Sequence, residues 1–276
     1  MYPTEVVPFE DAQTVLLFDT HNTIYRTIQK SYIDNGGYFR GFDDMVSRAW
    51  KTYQGRSTSI VFGWDGVHAR ATRRAYLPEY KAPRDVREDL FMKYYGVPKA
   101  KVFSDIRAYT KTLPHHDIES DDIEFDDLAA ALVRQNPNKH FILISTDKDM
   151  WQLLVNDNVS IVSSGAVVGR AELDKAFGLT DFRQVFIFKA LFGDPSDNIP
   201  SLLPRVVKKN IIEDVIKPLT DYETSNIMLR LLDCSSKRAV ELTKERGFGS
   251  RLERNMAVVG FVPTDYQRWL SSFQGR

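Results

Sequence analysis

Three unbroken apolar runs in the chain end at or near aspartate: Val15-Leu16-Leu17-Phe18-Asp19, Ile60-Val61-Phe62-Gly63-Trp64-Asp65 and Phe141-Ile142-Leu143-Ile144-Ser145-Thr146-Asp147. Runs of this length suit strands buried on both faces of a parallel sheet. Between them, Phe42, Met45, Val46, Ala49, Trp50 and Tyr53 recur at helical spacing, which predicts a helix over Phe39–Gln54. A second helix is expected to start near Asn22, and a third over Glu119–Arg134, acidic at its start and apolar at its end. A short helix at Met150–Val155 and a strand at Val159–Val162 follow. Strand, helix and strand at these spacings predict a right-handed parallel βαβ architecture. Past about Asp181 the pattern is helical throughout, with segments at Phe182–Phe192, Arg205–Val215, Tyr222–Glu245 and Asp265–Phe273. A soft boundary therefore falls near residue 180.

The carboxyl ends of parallel strands open on one crevice, where ligands bind. Asp19, Asp65 and Asp147 are expected to meet there, and like charges so close call for a cation between them. Further acids lie at helix starts and in loops: Glu124, Asp126 and Asp127, then Asp149, then Asp194 and Asp197. Any one of them also suits a turn or a helix cap. Their co-occurrence points to metal. Two divalent ions roughly 4 Å apart need about this many oxygens, and oxygen-only ligation favours Mg2+ or Mn2+. Paired ions of that kind suit phosphoryl chemistry. The adjacent pair His115-His116 does not read as a zinc site.

Bulk composition adds limits. At 276 residues and 43% hydrophobic, the chain is long enough for one large or two modest domains. Its single cysteine, Cys234, allows no internal disulfide and fits a reducing compartment. Met1 to Glu10 lacks the pattern of a signal peptide, and no apolar stretch nears the roughly 20 residues that span a bilayer. A soluble cytoplasmic protein without membrane contact is expected. Formal net charge is zero, yet charge is unevenly placed. Seven of the eleven residues from Asp117 to Asp127 are acidic, whereas Gly66 to Lys101 holds nine Lys/Arg against four Asp/Glu. Separated zones of this kind can hold metal in one and phosphate in the other.

On these motifs the chain resembles the flap endonuclease / 5′–3′ exonuclease family, most closely its phage-type members, which include phage ribonuclease H enzymes. The motifs that carry the resemblance are Asp19 through Tyr25-Arg26, Leu77-Pro78-Glu79-Tyr80-Lys81-Ala82-Pro83-Arg84, Glu124-Phe125-Asp126-Asp127, Ser145-Thr146-Asp147-Lys148-Asp149 with Gln152-Leu153-Leu154, and Gly193-Asp194-Pro195-Ser196-Asp197-Asn198-Ile199-Pro200. They occur in family order and span roughly residues 15 to 270. The resemblance implies an α/β core of PIN-like type, a central mostly parallel twisted sheet flanked by helices, over residues 1–180. It implies a helical arch at about 66–101 and a helix-hairpin-helix-type DNA-binding region over 181–276.

The same resemblance implies roles. Asp65, Glu124, Asp126, Asp127 and Asp147 would hold a first metal, directly or through water, with Asp19 in support. Asp149, Asp194 and Asp197 would hold a second. Lys81 and Arg84, at the base of the arch, would contact the scissile phosphate, a role that suits fixed cations. Arg26, Arg70, Arg73, Arg74, Arg87 and Lys93 would contact nucleic acid, with Tyr76, Tyr80, Tyr94 and Tyr95 offering rings for stacking. The implied activity is structure-specific 5′ nuclease, flap endonuclease and 5′–3′ exonuclease with a ribonuclease H capacity, in DNA replication and primer removal. Its substrates would be DNA with 5′ flaps, nicks or ends, and RNA–DNA hybrids. A single-strand-binding protein is a candidate partner, and a monomer is expected, in the host cytoplasm if the chain is phage-encoded.

Two departures stand out. The family's glycine-rich hairpin is replaced by Ser201-Leu202-Leu203-Pro204-Arg205-Val206-Val207-Lys208-Lys209, which holds no glycine, so Arg205, Lys208 and Lys209 would grip phosphate by side chain. Glu119-Ser120-Asp121-Asp122 repeats the Glu124 motif's spacing five residues earlier; the later copy is preferred because it runs into the apolar Leu128–Leu132. The alternatives are a non-catalytic nucleic-acid-binding relative and a metal-dependent phosphatase acting on small molecules.

Overall fold

The computed structural model describes residues 7–34, 37–86, 88–220, 223–264 and 270–272. The apolar runs form strands as expected. β1 (Thr14–Asp19), β2 (Thr58–Asp65), β3 (His116–Ser120), β4 (His140–Ile144) and β5 (Val159–Ser163) are parallel, and β6 (Ala166–Val167) and β7 (Leu270–Ser272) add antiparallel edges. The order is β6-β5-β4-β1-β2-β3-β7. β1 is central: the chain moves outward through β2 and β3, then returns to β1's other side with β4. That reversal places a crevice at the carboxyl ends.

Both faces are buried. In β1, Val15 and Leu17 face one apolar cluster, while Leu16 and Phe18 face another. The first cluster takes in the helix Phe125–Gln135 and residues on both sides of position 180, among them Leu143, Leu191, Val215 and Leu252. The second is covered by the helices Gly37–Tyr53 and Lys99–Thr110. Each fully buried Leu, Val or Phe side chain contributes roughly 1.5–3 kcal/mol, so this two-sided sheet is the main support for the strand tips. Among the described residues no helix is long and apolar enough to cross a membrane.

Several expectations are corrected. The acidic run does not open one helix over Glu119–Arg134. Its first part is β3, with Asp117 and Glu119 on the half-exposed alternate positions, and the helix begins at Phe125. Helical spacing misled because the strand's alternation spans only five residues. The segment read as Arg205–Val215 is three short pieces: 3-10 at Arg205–Val207, α at Lys208–Ile211 and π at Ile212–Ile216. The long helix expected over Tyr222–Glu245 is two, Thr224–Leu232 and Lys237–Thr243, because Ser236 caps the second through Ala239 N–H. Leu270–Ser272 is strand, not helix; Asp265 to Trp269 and Phe273 lie outside the described residues. A helix at Phe248–Val259 was not foreseen.

Candidate active site

Each acid is set by its own local element. Asp19 ends β1 and caps the next helix, Thr20–Arg26, by accepting from Asn22 N–H at 3.0 Å. Its other oxygen accepts from Ser145 Oγ at 2.9 Å. Asn22 in turn accepts from the Thr146 N–H and hydroxyl, which fixes the loop after β4. Asp65 ends β2 and accepts from Phe125 N–H at 2.7 Å, so the strand tip anchors the start of the Glu124 helix. Gly63 makes this approach possible: a Cβ there would lie 1.8 Å from the Phe125 ring. Asp147 lies three residues beyond β4 and accepts from Asp149 N–H at 2.9 Å.

The Gly193–Pro200 motif forms a tight loop closed by paired hydrogen bonds between Asp194 and Ile199. Gly193 (φ 68°) has Ile199 O where a Cβ would sit, at 2.4 Å. The loop interlocks with the basic segment. Lys81 N–H donates to Asp197 O at 2.9 Å, and Asn198 Nδ2 donates to Glu79 O at 2.8 Å. Lys81 and Asn198 both adopt left-handed backbone (φ 52° and 58°), a strained state at Lys81 that the surrounding contacts hold.

Asp19, Asp65, Glu124, Asp126 and Asp147 line one cavity of about 520 Å³, with Lys81, Arg84 and Arg70 in its wall. A second cavity of about 600 Å³ shares Asp147 and adds Asp194, Lys189, Lys148, Arg205 and Lys208. Six of the nine predicted acids therefore line two adjoining cavities rather than one. Asp197 joins them through Tyr80, whose hydroxyl lies 3.0 Å from Glu124 and 3.2 Å from Asp197. Asp149 and Asp194 share the Lys189 ammonium. Asp127 faces away from the first cavity: it is 1% exposed, and its oxygens accept from Arg73 and from Val262 N–H.

Two expected nucleic-acid contacts are corrected. Arg73 is 2% exposed and turned inward, where it donates to Glu124 (2.7 Å), Asp127 (2.6 Å) and Val258 O (2.9 Å). Three clustered acids, Glu124, Asp126 and Asp127, call for an internal cation. Tyr80 is also 2% exposed, its ring packed under Lys81 Nζ at 4.8 Å, so it offers no face to a base. Tyr95 is packed as well and donates to Thr27 O, while Tyr76 and Tyr94 remain exposed. Arg70, Arg74, Arg84, Arg205 and Lys209 reach solvent at least in part, Lys208 is half-buried with its ammonium over Phe188, and Arg87 lies outside the described residues. Arg26 is half-buried, with Nε unpartnered, and its burial lowers its pKa. In the earlier acid copy, Glu119 forms a two-fold ion pair with Arg107. In the later copy, Glu124, Phe125 and Asp126 line the first cavity.

The electrostatics fit a cation-binding pocket. Burial pushes Asp19, Asp126 and Asp147 above the usual aspartate range, and it takes Asp149 up to about 7. Asp65 differs: burial opposes its charge, but His21 and the Phe125 N–H hold it below the usual range. Burial also opposes the charge of Lys81, yet Glu124 and Asp197 raise its pKa well above the ordinary value. The donor set is all oxygen, as hard divalent ions require. Among the described residues, no three such donors close on a single point as placed. The oxygens turn to Arg73, Lys81 and Lys189 instead.

Sequence reasoning missed His21, Asn22 and Lys189. His21 Nδ1 lies 3.3 Å from Asp65, and its position two residues past a strand-end acid was the available signal. Lys189 is the one charge in the apolar helix Gln184–Phe192, which is an equally legible mark.

Residues 14–178 match the family described as 5′-3′ exonuclease, N-terminal resolvase-like domain. The chain is 28% identical over 235 residues to the thermostable DNA polymerase I of Thermus thermophilus, covering 82% of this chain and 26% of that protein. It is 31% identical over 155 residues to a 5′-3′ exonuclease of Buchnera aphidicola, covering 55% of this chain and 50% of that protein. The chain thus spans about a quarter of that polymerase and half of the exonuclease. Among solved structures, the bacteriophage T5 flap endonuclease in complex with DNA and metal ions superposes with a TM-score of 0.69 at 21% identity, covering 89% of this chain and 88% of that one. The same phage's 5′-exonuclease with bound zinc gives 0.68 at 22% identity, covering 89% of each chain.

Proposed function

This chain belongs to the 5′–3′ exonuclease family, and from that premise we propose that it is a divalent-metal 5′ nuclease. It would hydrolyse phosphodiesters at flaps, nicks and ends of DNA, and in the RNA strand of RNA–DNA hybrids. One observation carries the reading: Asp19, Asp65, Glu124, Asp126 and Asp147 line a cavity whose wall also bears Lys81 and Arg84. A carboxylate set alone would repel a phosphodiester. Cations in the same wall supply the attraction.

Asp65, Glu124, Asp126 and Asp147, with Asp19 behind them, would hold one Mg2+ or Mn2+; Asp149, Asp194 and Asp197 would hold a second. Such ions supply Lewis-acid chemistry, acidifying an attacking water and neutralising phosphoryl charge. Lys81, buried and fixed between Glu124 and Asp197, presents its ammonium to the developing charge on the phosphate. Arg84 does the same from the cavity mouth, released from Asp197. Arg73 organises the acids from behind. Arg70 and Arg74 guide the 5′ strand, and Arg205, Lys208 and Lys209 meet duplex phosphates. Residues 1–180 would thus form the metal-binding core and 181–276 the duplex-facing region.

Matched 5′-labelled flap, nicked and hybrid substrates test this with purified protein and Mg2+ or Mn2+. Short 5′ products are expected, and chelator should abolish them. Well-folded protein that cleaves none of the substrates with either metal defeats the reading.

A further inference from the structure

Arg70 Nη1 donates to one oxygen of Asp85 at 2.8 Å, and Arg74 Nη2 donates to the other at 2.5 Å. One carboxylate therefore serves two arginines through two oxygens, as a phosphodiester's two free oxygens would. Arg74 is fixed further by donating from Nε to Tyr80 O at 3.0 Å. Asp85 ends the short helix Ala82–Asp85 that Lys81 begins, next to Arg84, so it is tied to the cations of the proposed site. Arg70 and Asp85 line the same cavity as Asp65 and Glu124. An acid on the wall of a passage for a polyanion weakens binding unless it has a task. The neighbouring acids have local ones: Glu88 pairs with Lys93, and Asp89 caps the helix Leu90–Tyr95.

We propose that Asp85 is an internal stand-in for phosphate: it holds Arg70 and Arg74 in phosphate-binding geometry and is displaced when a single-stranded 5′ arm enters. The proposal rests on the nuclease reading above. The three side chains are 33–45% exposed, so each pair is weak and exchangeable. In the free protein the two arginines are pre-positioned but half of their charge is offset by the one carboxylate, which limits capture of stray nucleic acid. On entry, a backbone phosphate replaces Asp85, whose charge is left uncompensated. Asp85 thereby lowers both the affinity and the net counterion release of binding, and it favours strands that engage the whole site over strands that touch only the rim.

The test is equilibrium binding of a fluorescent single-stranded oligodeoxynucleotide to the full chain in chelator, over a range of KCl. Asp85→Asn should bind about 10-fold tighter at low salt, since two weak ion pairs no longer compete. Its log K against log[salt] slope should steepen by about 0.7, the equivalent of the one carboxylate charge removed. Adding Arg70→Gln and Arg74→Gln to that variant should remove the gain. Asp85→Ser carries the same test if the asparagine variant melts early. A folded Asp85 variant with unchanged or weaker binding and an unchanged slope overturns the proposal. Well-folded wild-type protein that cleaves no flap, nicked or hybrid substrate with Mg2+ or Mn2+ overturns the nuclease reading itself, a distinguishable outcome.

Discussion

Lys81 Nζ lies 2.6 Å from Glu124 Oε1 and 3.5 Å from Asp197 Oδ2, which places one buried cation between the acids of two motifs 73 residues apart. The backbone at Lys81 is left-handed and the ammonium is nearly enclosed. A group so confined is pre-organised, which is what charge stabilisation in a transition state requires. Lys81→Met should lower kcat on a flap substrate by about 100- to 1000-fold, the usual cost of losing one such donor. DNA affinity should change far less, as read by binding in chelator. A kcat close to wild type would remove Lys81 from catalysis.

Arg73 predicts an effect of another kind. Its guanidinium is the shared partner of Glu124 and Asp127, with Asp126 at 3.4 Å. Removing one partner of a buried ion pair leaves uncompensated charge, at a cost of about 3–5 kcal/mol. Arg73→Met should show that loss in urea unfolding. A variant that keeps wild-type stability but loses single-strand affinity would return Arg73 to the strand-binding role expected from the sequence.

Gly63 links the sheet to the site. Its missing Cβ leaves room for Phe125, whose N–H anchors Asp65. Gly63→Ala forces the Phe125 ring away and should shift Asp65 with it. Overpacking of this kind typically costs about 1–3 kcal/mol. Mg2+ binding, followed by calorimetry, should weaken along with thermal stability. Unaltered metal affinity in a destabilised variant would separate the two.

Asp117 gives a pH dependence outside the site. Burial opposes its charge, but His115 at 3.1 Å and Trp64 Nε1 at 2.8 Å hold its pKa below the usual aspartate value. Its folded pKa is depressed, so the stabilisation is present above the unfolded value of about 3.9 and is lost as pH falls through the folded one. The stability gap between wild type and Asp117→Asn should therefore be full well above about pH 3.9 and shrink as pH falls below it. A gap that widens on acidification would contradict the assignment.

Much of this was legible in the sequence, for physical reasons that differ by element. β1 and β2 are buried on both faces, so their apolar runs are continuous and their terminal acids stand out. The Gly193–Pro200 loop is readable because its glycine and acids serve a turn only a few residues long. β3 was hidden, since one half-exposed strand of five residues looks like the acidic start of a helix. The inward turn of Arg73 and Tyr80 was hidden too: nothing in a basic, aromatic segment says which side chains face the acids 50 residues later. After Pro200, where no glycine marks a turn, the chain forms short 3-10, α and π pieces that helical spacing alone does not separate.

The convergence of acids on metal is tested most directly by anomalous diffraction from crystals soaked in Mn2+. Density is predicted among Asp65, Glu124, Asp126 and Asp147, with a second peak by Asp149 and Asp194, and Asp147→Asn should erase the first. Saturating Mn2+ that leaves both cavities without a peak, in crystals that bind it elsewhere, would contradict the metal-dependent nuclease outright.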